Sequence, residues 1–539
     1  MATTDGKRAR IDPLKIVFAL GYVMQGLANP FQGLTYQSFY SHLHLHYGLD
    51  ESATQRLFAK SYLAWSFKPI IGFLIDAYGR TRTLLIGLLG FAAVGFLVTP
   101  LLDRGPLIFF GLMFAASVAL AGTDVAIDRA TVIAGDDEAK ATGRSRAAAV
   151  GLNQAICWLS IYGTLIVAGL AGGWVSEHVP FNGLLVALAG VPLLVLLVVL
   201  RLPKDTATAI PLTRSIGRFW AGLNSGPVLG IMLFFFLFHF QPQLGPIFNS
   251  YMIGTLHFSQ TQIGFADAAG YGGYFAGVLL FLWKGVRWGE RFGMRKLFRI
   301  YIVVGAVVSM VQYALLEPWF SSITAGLARA LPFVDGGTVR LGFLCANMAL
   351  VAAGTEMIRM STFSLVGAVV PVAAAGSLFA GFMSVISLAY TFSYSSGAWL
   401  YDHGMSVAPL RAVQQALFGR GGGPADKLSL NMLILFGAVA YFASFLAVHL
   451  LPAREPVPGG DGEKGPPGPE RWLALPAGWR RATNWGALAL GAGVAAGLAL
   501  RLKIDPVASV LTTFLAVCLI RKSFLDALLR RRGAESLSR

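Results

Sequence analysis

Charge is scarce in this sequence. Asp, Glu, Lys and Arg make up 13% of 539 residues and 55% are hydrophobic, whereas about 25% of a soluble domain is charged. A soluble chain of this length divides into several domains, each needing its own polar surface. That surface is missing, which excludes an ordinary soluble enzyme, a disordered chain and a coiled coil. Cysteine is rarer still. Cys157, Cys345 and Cys518 stand alone inside apolar segments, so they form neither a disulfide framework nor a metal spacing and read as small core residues. There is no P-loop, hence no sign of ATP hydrolysis, and no Ser–His–Asp or Cys–His arrangement. No catalytic residue, cofactor or metal is expected. His42, His44 and His46 alternate at the end of the first apolar segment. On a helix these positions are read as not sharing a face, which leaves a pH-sensitive rim rather than a metal site.

What the chain has instead is long apolar runs. Helical segments are expected at 15–43, 54–75, 84–102, 107–133, 147–173 and 181–202, then at 228–255, 263–286, 297–316, 339–366, 377–401 and 431–451. Each has a length suited to crossing a bilayer. The reading is an all-α membrane protein with an N-terminal six-helix bundle (1–202), a cytoplasmic linker (203–226) and a C-terminal six-helix bundle (227–451). A flexible Pro/Gly-rich linker (452–484) and a C-terminal hydrophobic hairpin with a basic tail (485–539) follow. The apolar parts of that hairpin, 485–500 and 506–520, are short and suit either a tilted hairpin or a re-entrant pair. Segment 317–338 reads as a loop with a surface helix, and 406–428 as another loop.

The net charge of +16 would suggest a nucleic-acid partner in a soluble protein. Here Lys and Arg cluster between apolar runs, which is the pattern of cytoplasmic loops. Lys7, Arg8, Arg10, Arg80, Arg82, Lys140, Arg144, Arg214, Arg218, Arg291, Arg295 and Lys296 fall on one side. The N-terminus reads as a basic cytoplasmic start without a cleavage pattern. Both termini are expected in the cytoplasm and the location is a bacterial inner membrane. A monomer is expected, with the hairpin available to a partner.

The halves repeat. Asn29-Pro30 with Ser38-Phe39 has the spacing of Gln241-Pro242 with Ser250-Tyr251. Gly72-x3-Asp76-x2-Gly79-Arg80-x-Arg82 follows the second helix, and Glu290-x2-Gly293-x-Arg295-Lys296 follows the eighth. Duplicated halves are a transporter architecture with the site at the midplane between them. The first loop resembles the cytoplasmic signature of the major facilitator superfamily, which implies a major facilitator fold. In that light Gly72, Asp76, Gly79, Arg80, Glu290 and Arg295 are candidate gating-loop residues.

Several segments together resemble the folate–biopterin transporter family. They are Trp65 through Asp76 (W-x-x-K-P-x-x-G-x-x-x-D), Thr123-Asp124-Val125-Ala126-Ile127-Asp128, the stretch Gln241-Pro242 to Gly264, and Pro371 through Ala380 with Gly397-Ala398. Ala375 stands where that family's late segment carries an acid. The resemblance covers the twelve helices and not the C-terminal hairpin. It implies a pterin- or folate-like substrate and makes Lys68, Asp124 and Asp128 motif positions.

Ionisable groups inside a bilayer helix are functional candidates by default. Asp124 and Asp128 are spaced i, i+4 and share a face; Lys68 and Arg129 complete a candidate proton-coupling network. Two close carboxylates in low dielectric do not readily both ionise, so one can carry a proton from side to side. In the second half Glu356 and Arg359 lie at i, i+3; Arg359 is the cation placed for a carboxylate ligand, or for a salt bridge to Glu356 alone. Gln25, Asn29, Gln32 and Tyr36 form one polar stripe on the first helix. Gln241, Asn249, Asn153, Trp158, Tyr390 and Tyr394 are further substrate-binding candidates. Asp267 reads as a solvated vestibule residue and Lys284 as an interfacial one. The leading reading is a proton-coupled secondary transporter of a small polar, anionic organic solute. The alternatives are a transporter of sugars, amino acids or amphiphiles, and a non-transporting membrane assembly factor on the same fold.

Overall fold

The computed structural model describes residues 13–201, 211–223, 226–242, 245–330, 335–370, 375–418 and 426–451, plus six isolated positions beyond. The C-terminal linker at 452–484, the hairpin apart from those six positions, Cys518 and Gln243 lie outside the described residues. Among the described residues every regular element is helical.

Among the described residues nine helices are long and apolar enough to cross a membrane. They are Thr81–Leu102, Pro106–Thr142, Arg146–His178, Phe181–Val199, Gln260–Leu280, Met294–Val311, Gly336–Val369, Ala375–His403 and Leu430–Ala447. Three further spans are interrupted, each beside a proline. The first runs Pro13–Ala28, breaks at Asn29-Pro30 and resumes at Tyr36–Ser41. The second runs Glu51–Ser61 and Lys68–Tyr78, with Pro69 opening its last part. The seventh runs Gly226–His239 and Gly245–Gly254 around Pro242. Proline lacks the N–H that a continuing helix needs, so the chain leaves helical geometry there. In a membrane such breaks survive only where other groups satisfy the freed backbone. At the first, Thr35 donates from Oγ1 to the Asn29 carbonyl at 2.6 Å and the Asn29 side chain accepts from the Phe31 amide at 3.1 Å.

The twelve spans fall at the expected places, but those expected as continuous helices at 15–43, 54–75 and 228–255 are the interrupted ones, and there are three further differences. The fourth and fifth continue as helix to Thr142 and His178, because no breaker interrupts them when they leave the apolar zone. The stretch read as a loop at 406–428 holds a helix, Ala408–Phe418, amphipathic enough to lie along the surface. A helix, Leu212–Leu223, likewise occupies part of the linker. The expected surface helix after residue 317 is present as Pro318–Ala330.

Exposed apolar side chains concentrate on the third, sixth, ninth and twelfth spans, for example Phe91, Leu194, Val304 and Leu446. These spans face lipid, one in every three, while the eleventh is nearly enclosed. The bundles meet mainly along the second–eleventh and fifth–eighth pairs. Small residues permit this, since helices in lipid associate by close packing rather than by a hydrophobic drive. A Cβ on Gly264 would sit 2.4 Å from the Gly169 carbonyl oxygen, and one on Gly72 would sit 2.8 Å from that of Gly376.

Candidate functional site

A cavity of ≈ 530 Å³ lies between the bundles, a size that suits a drug-sized solute. Ten of the twelve expected substrate-binding residues line it: Gln25, Asn29, Gln32, Tyr36, Trp158, Gln241, Asn249, Arg359, Tyr390 and Tyr394, joined by Lys68 and Asp124. Asn153 and Glu356 are not on the wall. Asn153 faces the fourth span instead, donating to the Thr131 carbonyl at 3.3 Å. The broken first, second and seventh spans all reach the cavity, bringing polar side chains to it.

The first-half charges form a buried network. Lys68 opens the last helix of the second span and donates to Asp124 Oδ2; both side chains are almost fully enclosed. Gln25 donates to the other Asp124 oxygen at 2.6 Å. Asp128, one turn on, accepts from Tyr22 at 2.8 Å and from Gln154 at 3.3 Å, both on Oδ1. Its Oδ2 has no partner among the described residues. Thus Asp124 is matched by a cation and Asp128 only by neutral donors.

The second-half charges stand opposite. Arg359 Nη1 lies 3.3 Å from Glu356 Oε2. Tyr162, on the fifth span, joins them: its hydroxyl donates to Glu356 Oε2 at 2.8 Å and accepts from Arg359 at 2.5 Å. The guanidinium also sits 5.2 Å from the Trp158 ring and 5.3 Å from the Tyr274 ring, within cation–π range. A first-half helix therefore holds the second-half cation.

Arg129 does not join Lys68, Asp124 and Asp128. It points about a quarter-turn from that face and pairs with Asp76 at 3.2 Å. Asp76 also accepts from the Ser377 amide at 3.2 Å and from Ser215 at 3.3 Å, so the first loop motif is fastened to the start of the eleventh span and to the linker helix. Gly79 ends its helix at φ 66° and Gly293 precedes the ninth span at φ 80°, a left-handed geometry that glycine adopts without cost. Arg80 is exposed over the Tyr78 ring. The helix containing Glu290 is described but its side chain is not. Arg82 donates to the Val199 and Leu200 carbonyls, and Arg295 to that of Leu451. Each arginine caps the last span of its own half, where a cation meets the negative end of the helix.

Contacts between bundles also stand on the opposite side. Arg56 pairs with Asp402 at 2.8 Å and Lys427 joins at 2.7 Å; donating to Asp402 holds the Lys427 ammonium above its usual range. Tyr40 and Ser250 are 2.7 Å apart. Asp267, expected to be solvated, is half-buried on the cavity wall and accepts from Gln37 at 2.9 Å. Lys284 lies 4.5 Å over the Trp283 ring. His42 and His46 do share a face, contrary to expectation: they stack at 4.6 Å on a π-helical turn, and His42 is 3.1 Å from Asp103. Their i, i+4 spacing is the reason. Tyr162 and His239 also stand on the cavity wall; sequence reasoning missed Tyr162, hinted at only by its place in a long apolar span, whereas His239 stands out beside Gln241 as a polar group of the seventh span.

Two six-span halves around a charged central cavity define a membrane protein built on the major facilitator transporter fold, rather than an enzyme. Within that class the chain belongs to the BT1 family, whose model matches residues 25–465. Among solved structures it is similar to the nucleoside transporter NupG, with a TM-score of 0.50 and 14% identity over 81% of this chain and 98% of that one. A bacterial homologue of the iron transporter ferroportin in an outward-facing state is matched at a TM-score of 0.49 and 12% identity over the same shares. Comparison with curated proteins gives no match.

Proposed function

We propose that the chain is a proton-coupled secondary transporter that moves a small, flat, anionic organic solute by alternating access. The observation that carries this reading is Arg359. It stands on the wall of a cavity rich in tyrosine and tryptophan, cradled by Trp158, Tyr274 and Tyr162. Its fork suits a carboxylate, and the rings around it suit a flat heteroaromatic face. Pterin- or folate-like solutes combine both features, in line with the motif resemblance at Lys68, Asp124 and Asp128.

Asp128 is the proton carrier in this reading. A carboxylate oxygen without a partner in a membrane interior is costly when ionised and is relieved by a proton. Asp124 is neutralised by Lys68 and serves as the fixed member of the pair. Binding of an anion near Lys68 loosens that pair and changes the field on Asp128 one turn away. Access alternates as the fastening around Asp76, Arg129 and Ser377 on one side exchanges with Arg56–Asp402 on the other. The Asp76 side faces the cytoplasm, where basic loops gather, and the protein works as a monomer in a bacterial inner membrane.

Uptake into proteoliposomes of a carboxylated pterin, a nucleoside, a hexose and an amino acid tests the substrate class. The carboxylated pterin is expected to accumulate, with Arg359→Gln lowering uptake about tenfold or more, the loss of one charge-assisted bond. Uptake of a neutral hexose alone, indifferent to Arg359→Gln, overturns the reading. Stoichiometric co-purification of a partner without any uptake favours an assembly factor.

A further inference from the structure

His239 ends the first helix of the seventh span and lies on the cavity wall, 2% exposed. Its Nδ1 is 2.9 Å from the Phe235 carbonyl oxygen. A carbonyl only accepts, so Nδ1 carries the hydrogen, and the neutral ring presents its lone pair at Nε2. That nitrogen has no partner among the described residues.

The ring is held in place. Phe238 stands perpendicular to it at 5.0 Å and Tyr390 crosses it at 5.6 Å. The backbone behind it is fixed by Ser393, whose Oγ accepts from the Gln241 amide at 2.9 Å and lies 3.2 Å from the His239 carbonyl oxygen. A buried acceptor without a donor is rare in proteins. An oriented one, on a residue of the cavity wall and locked by packing, is placed to take a hydrogen.

We infer that His239 Nε2 is a specificity-determining acceptor: it takes a hydrogen bond from an N–H or O–H group of the transported molecule and disfavours analogues that carry a methyl group there. The inference rests on the cavity being the substrate site. The chemistry selected is a flat ring with a donor on its edge and an anionic group that reaches Arg359. A site built around a hydrogen bond rejects a ligand lacking the hydrogen far more strongly than an apolar pocket rejects an extra methylene. Among the described residues nothing donates to that nitrogen.

The test uses matched ligand pairs that differ by one methylated N–H or O–H: pterin-6-carboxylate and its ring N-methyl analogue, uridine and 3-methyluridine, and a hexose and its O-methyl ether. Binding to the purified full-length chain is read by tryptophan fluorescence and thermal shift, for wild type, His239→Phe and His239→Gln. For at least one pair, the wild type is expected to prefer the donor-bearing member about tenfold or more. His239→Phe keeps a ring of similar size and lowers that preference to near one, chiefly by weakening the donor-bearing member. His239→Gln, which offers an acceptor, keeps part of it. If His239→Phe yields no folded protein, the imidazole nitrogen resonances of wild type, assigned against His239→Gln, decide. A shifted Nε2 signal with the preferred probe supports the inference and an unchanged one overturns it. Absence of any pair whose preference depends on His239 also overturns it. Failure of the transporter reading looks different: the His239-dependent preference is present, but the pair is not the pterin or the bound probe is not taken up.

Discussion

Consider removing Lys68 alone, Asp124 alone, and both. The ammonium and carboxylate are 1% and 3% exposed. Lys68→Met leaves Asp124 with Gln25 as its remaining donor, and Asp124→Asn leaves the ammonium without its paired carboxylate. Breaking one side of a buried pair costs about 3–5 kcal/mol, whereas replacing both with neutral groups is often close to neutral. The double variant Lys68→Met/Asp124→Asn keeps the Gln25 contact through the Asn carbonyl and is expected within about 2 kcal/mol of wild type. Each single variant should fall well below it. Unfolding free energies in mixed micelles, taken as a double-variant cycle, give the coupling directly. Losses that simply add would refute the pairing as a stabilising interaction. The same double variant should fold yet fail to take up solute, since it lacks both charges assigned to the cycle.

Three further outcomes follow from the geometry. Gly72→Val places a Cβ 2.8 Å from the Gly376 carbonyl oxygen and 2.9 Å from Ser377 Cα; backbone cannot yield, so overpacking of about 1–3 kcal/mol should part the bundles on that side. A cysteine at Ser377 should then label at least about fivefold faster with an impermeant maleimide, and unchanged labelling rejects this. Arg82→Gln and Arg295→Gln should each lower stability by about 1–2 kcal/mol, because they cap equivalent helices; a large inequality in unfolding free energy argues against equivalent roles. Asp335 caps the tenth span, accepting from the Thr338 amide at 2.7 Å, which holds its carboxyl below the usual range. Its folded value is depressed, so the capping contribution is present above the unfolded value near pH ~4 and is lost as pH falls through the folded one. Amide exchange at 336–340 should show that dependence, and Asp335→Asn should flatten it.

The fold was largely legible because apolar runs of bilayer length dominate the chain. The three interruptions were not read, although Asn29-Pro30, Lys68-Pro69 and Gln241-Pro242 carry the breaker on the chain itself. The site was legible only in part. Lys68, Asp124 and the stripe from Gln25 to Tyr36 were visible as polar groups where lipid forbids them. Their partners were not, because partners are set by packing between distant segments. Tyr162 reads as one more aromatic residue until Arg359, nearly two hundred positions later, meets its hydroxyl. Arg129 reads as a member of the Asp124–Asp128 cluster until helix rotation turns it toward Asp76. Asn153 shows the converse: an amide at bilayer depth that serves its neighbouring helix rather than the cavity. The helix at Ala408–Phe418 escaped notice because glycines near 421–423 made the whole stretch look irregular.

The claim that solute movement is coupled to protons is tested most directly by uptake into proteoliposomes with an imposed pH gradient. A carboxylated pterin, or whichever probe binds the wild type, is presented with the gradient on and off. Wild type is expected to accumulate the probe several-fold faster with the gradient, and Asp128→Asn to carry it at one rate in both conditions. Equal uptake by wild type with and without the gradient, or a full gradient response in Asp128→Asn, contradicts the role given to that carboxylate.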